Sequence, residues 1–409
     1  MSTYGILTSV GSDLVKESYL EEFRERAESR REPLMLSLVS GKYFSSPRFL
    51  VPNKVQPFQR TTLNTAVSTT TNTPTSLTLD NLAVFPVDIR KNEILKIDSE
   101  YFVVTAEPVV STSTIVCQVT RGSGNQFAST AATHAASSTV IIMGRLNAEG
   151  SKYDRSSHVT GTRREAYTQI FKWEFEQTTT AAGIDGQTVG DDNNAAAQID
   201  KGINRLYNEV QIAMFKSKKS GSSTVTNTST SIVDSRTLSG LDYWHSTYNG
   251  ISVAAGSAQI NPDMFDSVIE TIVKRGGGAN AETGLALGTG STLVCVMNET
   301  QRTFVNRFLN PQKRVDNLES TLRNYVGTYE SSMARVDFIG APEETCLPSE
   351  AYFYDPKDVI VAALTGGDVK EIDIAIDGDT AVKKMLRCEM GCAVVNPETV
   401  GKITGLATS

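Results

Sequence analysis

The residue types best suited to acid–base or metal chemistry are the three histidines, His134, His158 and His245. They lie far apart, and His134 has no second histidine or acidic partner close to it in the sequence that would suggest a metal ligand set. We therefore interpret His134 as a surface histidine. Neither a Gly-x-Ser-x-Gly nucleophile elbow nor a His-Glu-x-x-His motif occurs in the chain. The histidines thus predict no catalytic or metal site.

The pattern of the cysteines predicts that they pack as buried thiols and do not bind a metal. Cys388 and Cys392 alternate with Met390, as residues of a packed strand do, and no second cysteine pair or histidine lies near them to complete a zinc site. An odd number of cysteines in a long chain is typical of buried thiols in a reducing compartment. The five are Cys117, Cys295, Cys346, Cys388 and Cys392.

Two further patterns that can carry chemistry are weak in this sequence. Gly288-Thr289-Gly290 precedes an apolar strand and does not join a strand to a helix, so it does not predict a phosphate-binding loop. The acid pairs Asp191-Asp192 and Glu343-Glu344 are typical of solvated loops. We predict no catalytic residue, no cofactor and no metal, and we predict that the protein is not an enzyme.

The charge balance disfavours a nucleic-acid-binding protein. The 409 residues include 46 acidic and 39 basic ones, for a net charge of -7, whereas a phosphate-binding face concentrates lysine and arginine. The first residues, 1–5, lack the basic and apolar regions of a secretory signal, and no apolar run approaches the roughly 20 residues needed to cross a bilayer. We predict a soluble chain, made in the cytoplasm, with no membrane partner.

The first part of the chain predicts an arm, an extended loop and a β domain. Residues 13–32 alternate acidic and basic side chains around few apolar ones, which is typical of a solvated helix or of an arm that lies on a neighbouring subunit. The prolines in residues 49–52 and 55–58 favour edge strands, because a proline cannot donate to a β ladder. Between residues 75 and 145, short β segments separated by polar turns predict a small antiparallel sandwich or barrel.

The second part predicts a compact α+β domain. Residues 195–218 form the longest predicted helix, and residues 293–297 form an apolar run suited to a buried strand. Asn261-Pro262-Asp263 predicts the start of a helix over 264–274, and helical spacing resumes over 299–309. The stripe that defines the longest helix consists of Ile199, Ile203, Leu206, Val210 and Met214.

Three segments carry a resemblance to a known family. Residues 162–171 (TRREAYTQIF) are similar to the segment where the extended loop of tailed-bacteriophage major capsid proteins of the Hong Kong 97-type fold returns to the peripheral domain. Residues 236–244 (RTLSGLDYW) resemble the segment between the spine helix and the axial domain of that family. Residues 383–389 (KKMLRCE) and 393–398 (AVVNPE) resemble its closing strands and their Asn-Pro exit.

The resemblance implies an α+β chain with the Hong Kong 97-type capsid fold and a small all-β insertion domain in the extended loop. The implied division is an N-terminal arm (1–45), an outgoing extended loop (46–74), a β insertion domain (75–145), a returning loop (146–162), a peripheral domain with the spine helix (163–239), an axial domain (240–366), and closing strands of the peripheral domain with the C-terminus (367–409).

The implied function is that of a major capsid subunit that self-assembles into an icosahedral head shell. The expected partners are further copies of the chain in hexamers and pentamers, scaffolding, portal or decoration proteins, and packaged DNA enclosed without sequence-specific binding. The expected location is the virion, after synthesis in the host cytoplasm. The residues expected at intersubunit contacts are Arg24, Arg26, Arg30, Arg31, Phe49, Phe58, Arg60, Arg163, Arg164 and Glu165.

We predict that charge reversal at Arg163 or Arg164 impairs assembly more than folding. The alternative function is a modular, adhesin-like binding protein whose β insertion recognises a surface ligand. That alternative predicts an exposed aromatic patch, for which the insertion offers Phe85, Tyr101, Phe102 and Phe127.

Overall fold

The α+β class predicted from the sequence is confirmed by the structure, in which eighteen strands and four α-helices are described. The computed structural model describes residues 43–53, 58–68, 75–81, 86–122, 125–127, 129–147, 149, 162–178, 195–220, 236–277, 292–308, 328–331, 333–374 and 381–408.

The strands fall into three sheets. Strands β1 (Arg48–Asn53), β9 (Thr162–Thr178), β15 (Val359–Ala363), β16 (Lys370–Asp373) and β17 (Ala381–Val394) form the first. Strands β10 (Ile251–Ala254), β11 (Thr292–Asn298), β12 (Thr328–Glu330), β13 (Arg335–Ala341), β14 (Glu350–Tyr354) and β18 (Gly401–Thr404) form the second. Strands β2 (Arg60–Thr62), β3 (Thr75–Asp80), β4 (Glu93–Ile97), β5 (Glu100–Val104), β6 (Val109–Val110), β7 (Thr114–Arg121) and β8 (Thr139–Arg145) form the third.

The four described α-helices pack with elements of the first two sheets. They are α1 (Ala195–Lys216), α2 (Leu241–Thr247), α3 (Pro262–Lys274) and α4 (Glu299–Phe308), followed near the C-terminus by a 3-10 turn at Pro397–Thr399.

Residues 52–163 form a compact unit of their own, built on the third sheet. The strand order is β2-β8-β4-β5-β7-β3, with β6 beside β7, and Leu63 just after β2 bridges to Leu79 of β3. The Asn64 amide donates to the Thr78 carbonyl over 2.9 Å at the same place, so the sheet closes into a barrel. Alternate residues of β5 and β7 are buried, which places one face of each strand in the barrel core. The prediction of a small antiparallel sandwich or barrel is confirmed in its barrel form.

The barrel begins earlier in the chain than the sequence suggested. Residues 60–62 lie in the predicted outgoing loop (46–74), yet they pair with Val140 and its neighbours on β8. Thr61 is buried there, and its hydroxyl donates to the Asp80 carbonyl over 2.7 Å. The three residues are polar or charged, so apolar periodicity could not reveal them as a strand.

In the other unit, residues 1–51 and 164–409, the first sheet supports the longest helix. Strands β9 and β17 pair antiparallel from Thr168↔Gly391 to Thr178↔Ala381. Helix α1 packs on this sheet, and Gly202 is required because a Cβ at that position would lie 2.4 Å from the Trp173 ring. Of the predicted stripe, Leu206, Val210 and Met214 are buried, while Ile199 and Ile203 are partly buried against the same core. The predicted spine helix is confirmed, ending at Lys216.

The second sheet carries helices α3 and α4. Asn261 begins α3 as predicted, since its side chain accepts a hydrogen bond from the Met264 amide over 2.9 Å. Strand β11 is buried along most of its length and pairs parallel with β13 and antiparallel with β14. The predicted buried strand and both helices of this region are confirmed.

The strands cross the predicted division at 366/367. Strand β15 belongs to the predicted axial segment but pairs with β17 in the first sheet. Strand β18 belongs to the predicted closing peripheral segment but pairs with β10 and β14 in the second. The chain therefore passes twice between the sheets near its C-terminus. The sheet to which β15 and β18 belong is decided by strands far away in the sequence. A single sequence does not show which distant strands will pair.

Candidate assembly surface and its supporting ion pairs

The residues predicted at intersubunit contacts occupy different environments. The four arginines of the arm, Arg24, Arg26, Arg30 and Arg31, lie outside the described residues.

The two aromatic residues of the predicted contact set, Phe49 and Phe58, are partly buried, whereas Arg60 of the same set is exposed. The Phe49 ring stacks on Phe44 with centroids 3.9 Å apart, and both rings cover Gly391. Phe58 is half-buried in the barrel unit and donates its amide to the Pro86 carbonyl over 2.8 Å. Arg60 is exposed at the start of β2. Of the three, Arg60 is the most exposed to solvent.

Arg164 is used inside the subunit. Its side chain is only 8% exposed, and its guanidinium pairs with both carboxylate oxygens of Glu398, with Nη1 3.2 Å from Oε2. The guanidinium carbon also lies 4.3 Å from the centroid of the Tyr248 ring. These contacts tie β9 to α2 and to the turn that precedes β18. Arg164 was expected at an intersubunit contact, with charge reversal impairing assembly more than folding; its buried ion pair argues that the reversal would disturb folding as well.

Arg163 and Glu165, the two residues next to Arg164, are less buried than Arg164. Glu165 forms an ion pair with Arg48 and lies 3.5 Å from the Lys219 Nζ. Burial alone would raise the pKa of Glu165, but the hydrogen bond from Arg48 and the charge of Lys219 lower it below its ordinary value. Of this group, Arg163 is the residue whose side chain is exposed.

A separate exposed surface lies on one face of β9. Ile170, Lys172, Glu174 and Glu176 occur at every second position and are all exposed. Ile170 is an apolar residue with 38% of its surface accessible. This strand face therefore presents three charged side chains and one apolar side chain to solvent.

A lysine–carboxylate cluster, consisting of Lys216, Asp242, Glu350, Tyr352 and Lys402, joins α1 to the second sheet. The Lys402 Nζ lies 2.7 Å from Asp242 and 2.9 Å from Glu350, while Lys216 forms an ion pair with Glu350. The Tyr352 hydroxyl accepts from Lys216 over 2.7 Å and lies 2.9 Å from Asp242. Two ammonium groups balance two carboxylates, as a partly buried site requires.

The pKa shifts of Glu350 and Lys402 favour their charged forms. Burial would raise the pKa of Glu350, but hydrogen bonds from Lys216 and Lys402 lower it. Burial would lower the pKa of Lys402, but Asp242 and Glu350 raise it. Lys402 is therefore held as an ammonium ion, which cannot act as a nucleophile. The cluster is suited to holding elements together.

The histidines have structural environments where they are described. His245 is buried, and its Nε2 lies 2.9 Å from the Ile251 carbonyl oxygen. Burial lowers the pKa of His245, which favours the neutral ring. His134 is 4% exposed, so its interpretation as a surface histidine is wrong. Its partners Asp98 and Glu100 lie 36 and 34 residues away in sequence, too far to be recognised by spacing. His158 lies outside the described residues.

The five cysteines are buried and none forms a disulfide, which confirms the prediction of buried thiols. Burial raises the pKa of Cys117, Cys346, Cys388 and Cys392 to about 12. It raises the pKa of Cys295 well above the ordinary value. All five thiols are therefore protonated near neutral pH and are poor nucleophiles.

Asp358 is an acidic side chain in an unfavourable environment beside the closing segment. Its carboxylate accepts from the Asn396 amide over 3.0 Å and from the Thr399 hydroxyl over 3.4 Å. Burial and the nearby charge of Asp355 raise the pKa of Asp358 from 3.8 to about 6. A raised carboxyl pKa stabilises the fold fully below the unfolded value of 3.8, and this contribution is lost as pH rises through 6.

Replacing Asp358 with asparagine is expected to stabilise the subunit at neutral pH by about 1–3 kcal/mol, because the buried negative charge is removed while the amide can still bond Asn396 and Thr399. The gain is expected to shrink as pH falls towards 4.5. Thermal unfolding of unassembled subunits at pH 7.5 and 4.5 measures it. Asp355→Asn is the matched control. It removes only the nearby charge and not the buried one, so a smaller gain in stability is expected. A destabilised Asp358→Asn variant at pH 7.5 would contradict this account.

The described residues support neither metal binding nor a membrane-spanning helix. In the described ranges, no group of three or more histidine, cysteine, aspartate or glutamate side chains is placed to hold a metal ion. No described helix has the length and apolar character needed to cross a membrane.

Comparison with known proteins gives one match that covers most of the chain. A family model described as SU10 major capsid protein matches residues 48–407. No curated protein sequence matches.

Solved structures also resemble the chain at low identity. A structure of Microbacterium phage Oxtober96 is 10% identical over 99% of both chains, with a TM-score of 0.45. A structure of Gordonia phage Cozz is 11% identical over 98% of this chain and 94% of that one, with a TM-score of 0.42. The cyanophage A-1(L) capsid asymmetric unit is 11% identical over 78% and 90%, with a TM-score of 0.45. All three scores lie below 0.5, so the family match is the finding that carries weight.

Proposed function

The chain belongs to the SU10 major capsid protein family, and we propose that its copies form the hexamers and pentamers of an icosahedral shell around packaged DNA. The protein is a structural capsid subunit, since the family model spans residues 48–407 of 409. This match is the observation that carries the proposal. The Hong Kong 97-type arrangement expected from the sequence fits a subunit with two sheets, a long helix and a separate barrel.

The charge of the chain supports the proposed enclosure of DNA. A strongly basic inner wall would bind phosphates and hinder filling of the shell, whereas this chain has a net charge of -7. Sequence-specific DNA contacts are not part of the proposal. The proposed location is the virion capsid, following synthesis in the host cytoplasm, and scaffolding, portal or decoration proteins are proposed as additional partners.

We propose that the exposed members of the predicted contact set act between subunits. These are Arg60 and Arg163, to which the exposed face of β9 adds Ile170 and its charged neighbours. Exposed charges confer little affinity individually, but a closed lattice repeats each contact many times and so multiplies its effect. Arg164 and Glu165 hold β9 within its own unit through their ion pairs with Glu398 and Arg48.

We propose no catalytic activity for the subunit. The described thiols are held protonated by burial, and Lys402 is held as an ammonium ion by two carboxylates. These environments support a structural role.

The adhesin-like alternative is less well supported. Of its four aromatic residues, Phe102 is buried in the barrel core and Phe85 lies outside the described residues. Tyr101 and Phe127 stack with centroids 5.1 Å apart, and Phe127 is 36% exposed. One small aromatic pair offers less than the patch that a carbohydrate- or ligand-binding domain needs.

Electron microscopy of the native particle tests the proposal. We expect the chain to occupy every position of a lattice of hexamers and pentamers, and densitometry of the purified particle to find it as the most abundant protein. A chain present at low copy number and outside such a lattice would overturn the proposal. The same preparation tests for bound scaffolding or portal proteins.

A further inference from the structure

The barrel contains a buried cluster of four charged side chains, Asp98, Glu100, Arg121 and His134, which we call the barrel cluster. Arg121 and Glu100 are both fully buried, and their side chains pair through two bonds of 2.8 and 2.7 Å. The Arg121 Nη2 also donates to the Ala132 carbonyl over 2.5 Å. This pair joins the end of β7 to the start of β5.

His134 lies between two carboxylates. Its Nδ1 is 2.9 Å from Asp98 Oδ2, and its Nε2 is 3.0 Å from Glu100 Oε2. An ionised carboxylate only accepts hydrogen bonds, so each ring nitrogen must donate. Only the imidazolium form donates from both nitrogens. With it, two positive and two negative charges balance; without it, the barrel cluster has one unbalanced negative charge.

The two carboxylates are not equally free to move. Glu100 is fully buried, and it also accepts from Arg121 and from the Ala132 amide over 3.0 Å. Burial would raise the pKa of Glu100, but these bonds and that of His134 lower it, which keeps the carboxylate ionised. Asp98 has a side chain that is 67% exposed, and its backbone has a positive φ of 52° in the turn between β4 and β5. A neutral His134 ring would keep its remaining proton towards Glu100 and present a lone pair to Asp98.

We propose that the proton on His134 fastens the β4–β5 turn to the end of the barrel, and that losing this proton releases the turn. Histidine is the ordinary side chain that gains or loses a proton near neutral pH, so the test compares a mildly acidic with a mildly alkaline solution. The charged groups that face the ring are Asp98 and Glu100, with Arg121 on the far side of Glu100. His134 also pairs through its backbone with Val67 and meets the edge of the Phe102 ring, with centroids 5.9 Å apart. The inference concerns the barrel alone and does not depend on the proposed assembly.

Amide hydrogen exchange of the full-length protein at about pH 6 and pH 8.5 tests the proposal. After correction for the intrinsic pH dependence of exchange, a peptide covering Ile97 to Tyr101 is expected to exchange about fivefold or more faster at the higher pH. The turn at Asn92, which also has a positive φ (67°), lies outside the barrel cluster and is the internal control. Its corrected exchange is expected to be the same at both pH values.

Two variants separate the proposed tie from general loosening of the barrel. Asp98→Asn, which suits a positive φ, is expected to give fast exchange of the turn at pH 6 and to abolish the pH dependence. His134→Gln removes the titrating ring and is expected to abolish the dependence as well, which keeps the proposal testable where one variant does not fold. Equal wild-type exchange at both pH values, or a pH dependence that persists in either variant, would overturn it.

Discussion

Replacing Arg121 with methionine is expected to lower the free energy of unfolding of the barrel by about 3–5 kcal/mol. The variant leaves the Glu100 carboxylate, which is fully buried, without the guanidinium that now bonds both of its oxygens. A buried carboxylate without its partner is costly, and it would have to take up a proton or draw water into the barrel end. We expect the same region to lose its contact with the Ala132 carbonyl.

The measurement must report on the barrel itself. Both tryptophans of the chain, Trp173 and Trp244, lie in the other unit, so their fluorescence does not follow barrel unfolding. Hydrogen exchange of the buried backbone amides of β5 and β7 does follow barrel unfolding. The exchange rates of the slowest of these amides give the free energy of unfolding of the barrel. Tryptophan fluorescence then becomes the control, with an unchanged transition expected for unassembled subunits of the variant.

A double variant tests whether the pair is responsible. In Glu100→Gln with Arg121→Met, neither member of the Arg121–Glu100 pair is left without the other, so the loss is expected to be smaller than the sum of the two single losses. An Arg121→Met variant whose barrel amides exchange as slowly as those of the wild type would show that the pair adds nothing to stability.

Features that depend on neighbouring residues could be predicted from the sequence. Apolar spacing revealed α1 and β11, and the Asn261-Pro262 pair revealed the start of α3, because helix periodicity and capping are local properties. The buried thiols followed from cysteine number alone. Much of each element's identity is thus present in ten or twenty consecutive residues.

Features that depend on distant partners could not be predicted. Arg164 and Glu398 are 234 residues apart. The crossing of β15 and β18 between sheets also depends on strand partners that lie outside the local sequence. Arg121 is followed by Gly122 and Gly124, a pattern typical of a turn, yet it ends a strand with its guanidinium fully buried. A charged residue is normally exposed, and only its partner's position shows that it is not. For the same reason the candidate contact set mixed exposed Arg163 with buried Arg164.

Charge reversal at Arg164 is expected to prevent normal folding, with a loss of at least about 3–5 kcal/mol. Arg164→Glu would place a second carboxylate against Glu398 and beside the Tyr248 ring, in a site where the wild-type side chain is 8% exposed. Like charges repel strongly in such a site because little water is present to screen them. We expect low soluble yield and a large fall in the unfolding temperature of whatever subunit remains.

Arg163→Glu is the matched control, since it makes the same change one residue earlier on an exposed side chain. We expect Arg163→Glu subunits to unfold at nearly the wild-type temperature and to form fewer particles, as electron microscopy and sedimentation would show. Combining Arg164→Glu with Glu398→Arg should recover part of the lost stability, because it restores an ion pair with the opposite orientation. If Arg164→Glu subunits instead fold normally and fail only to assemble, the role assigned to the Arg164–Glu398 pair inside the subunit is wrong. Adjacent residues of β9 then would both act between subunits, as the sequence alone suggested.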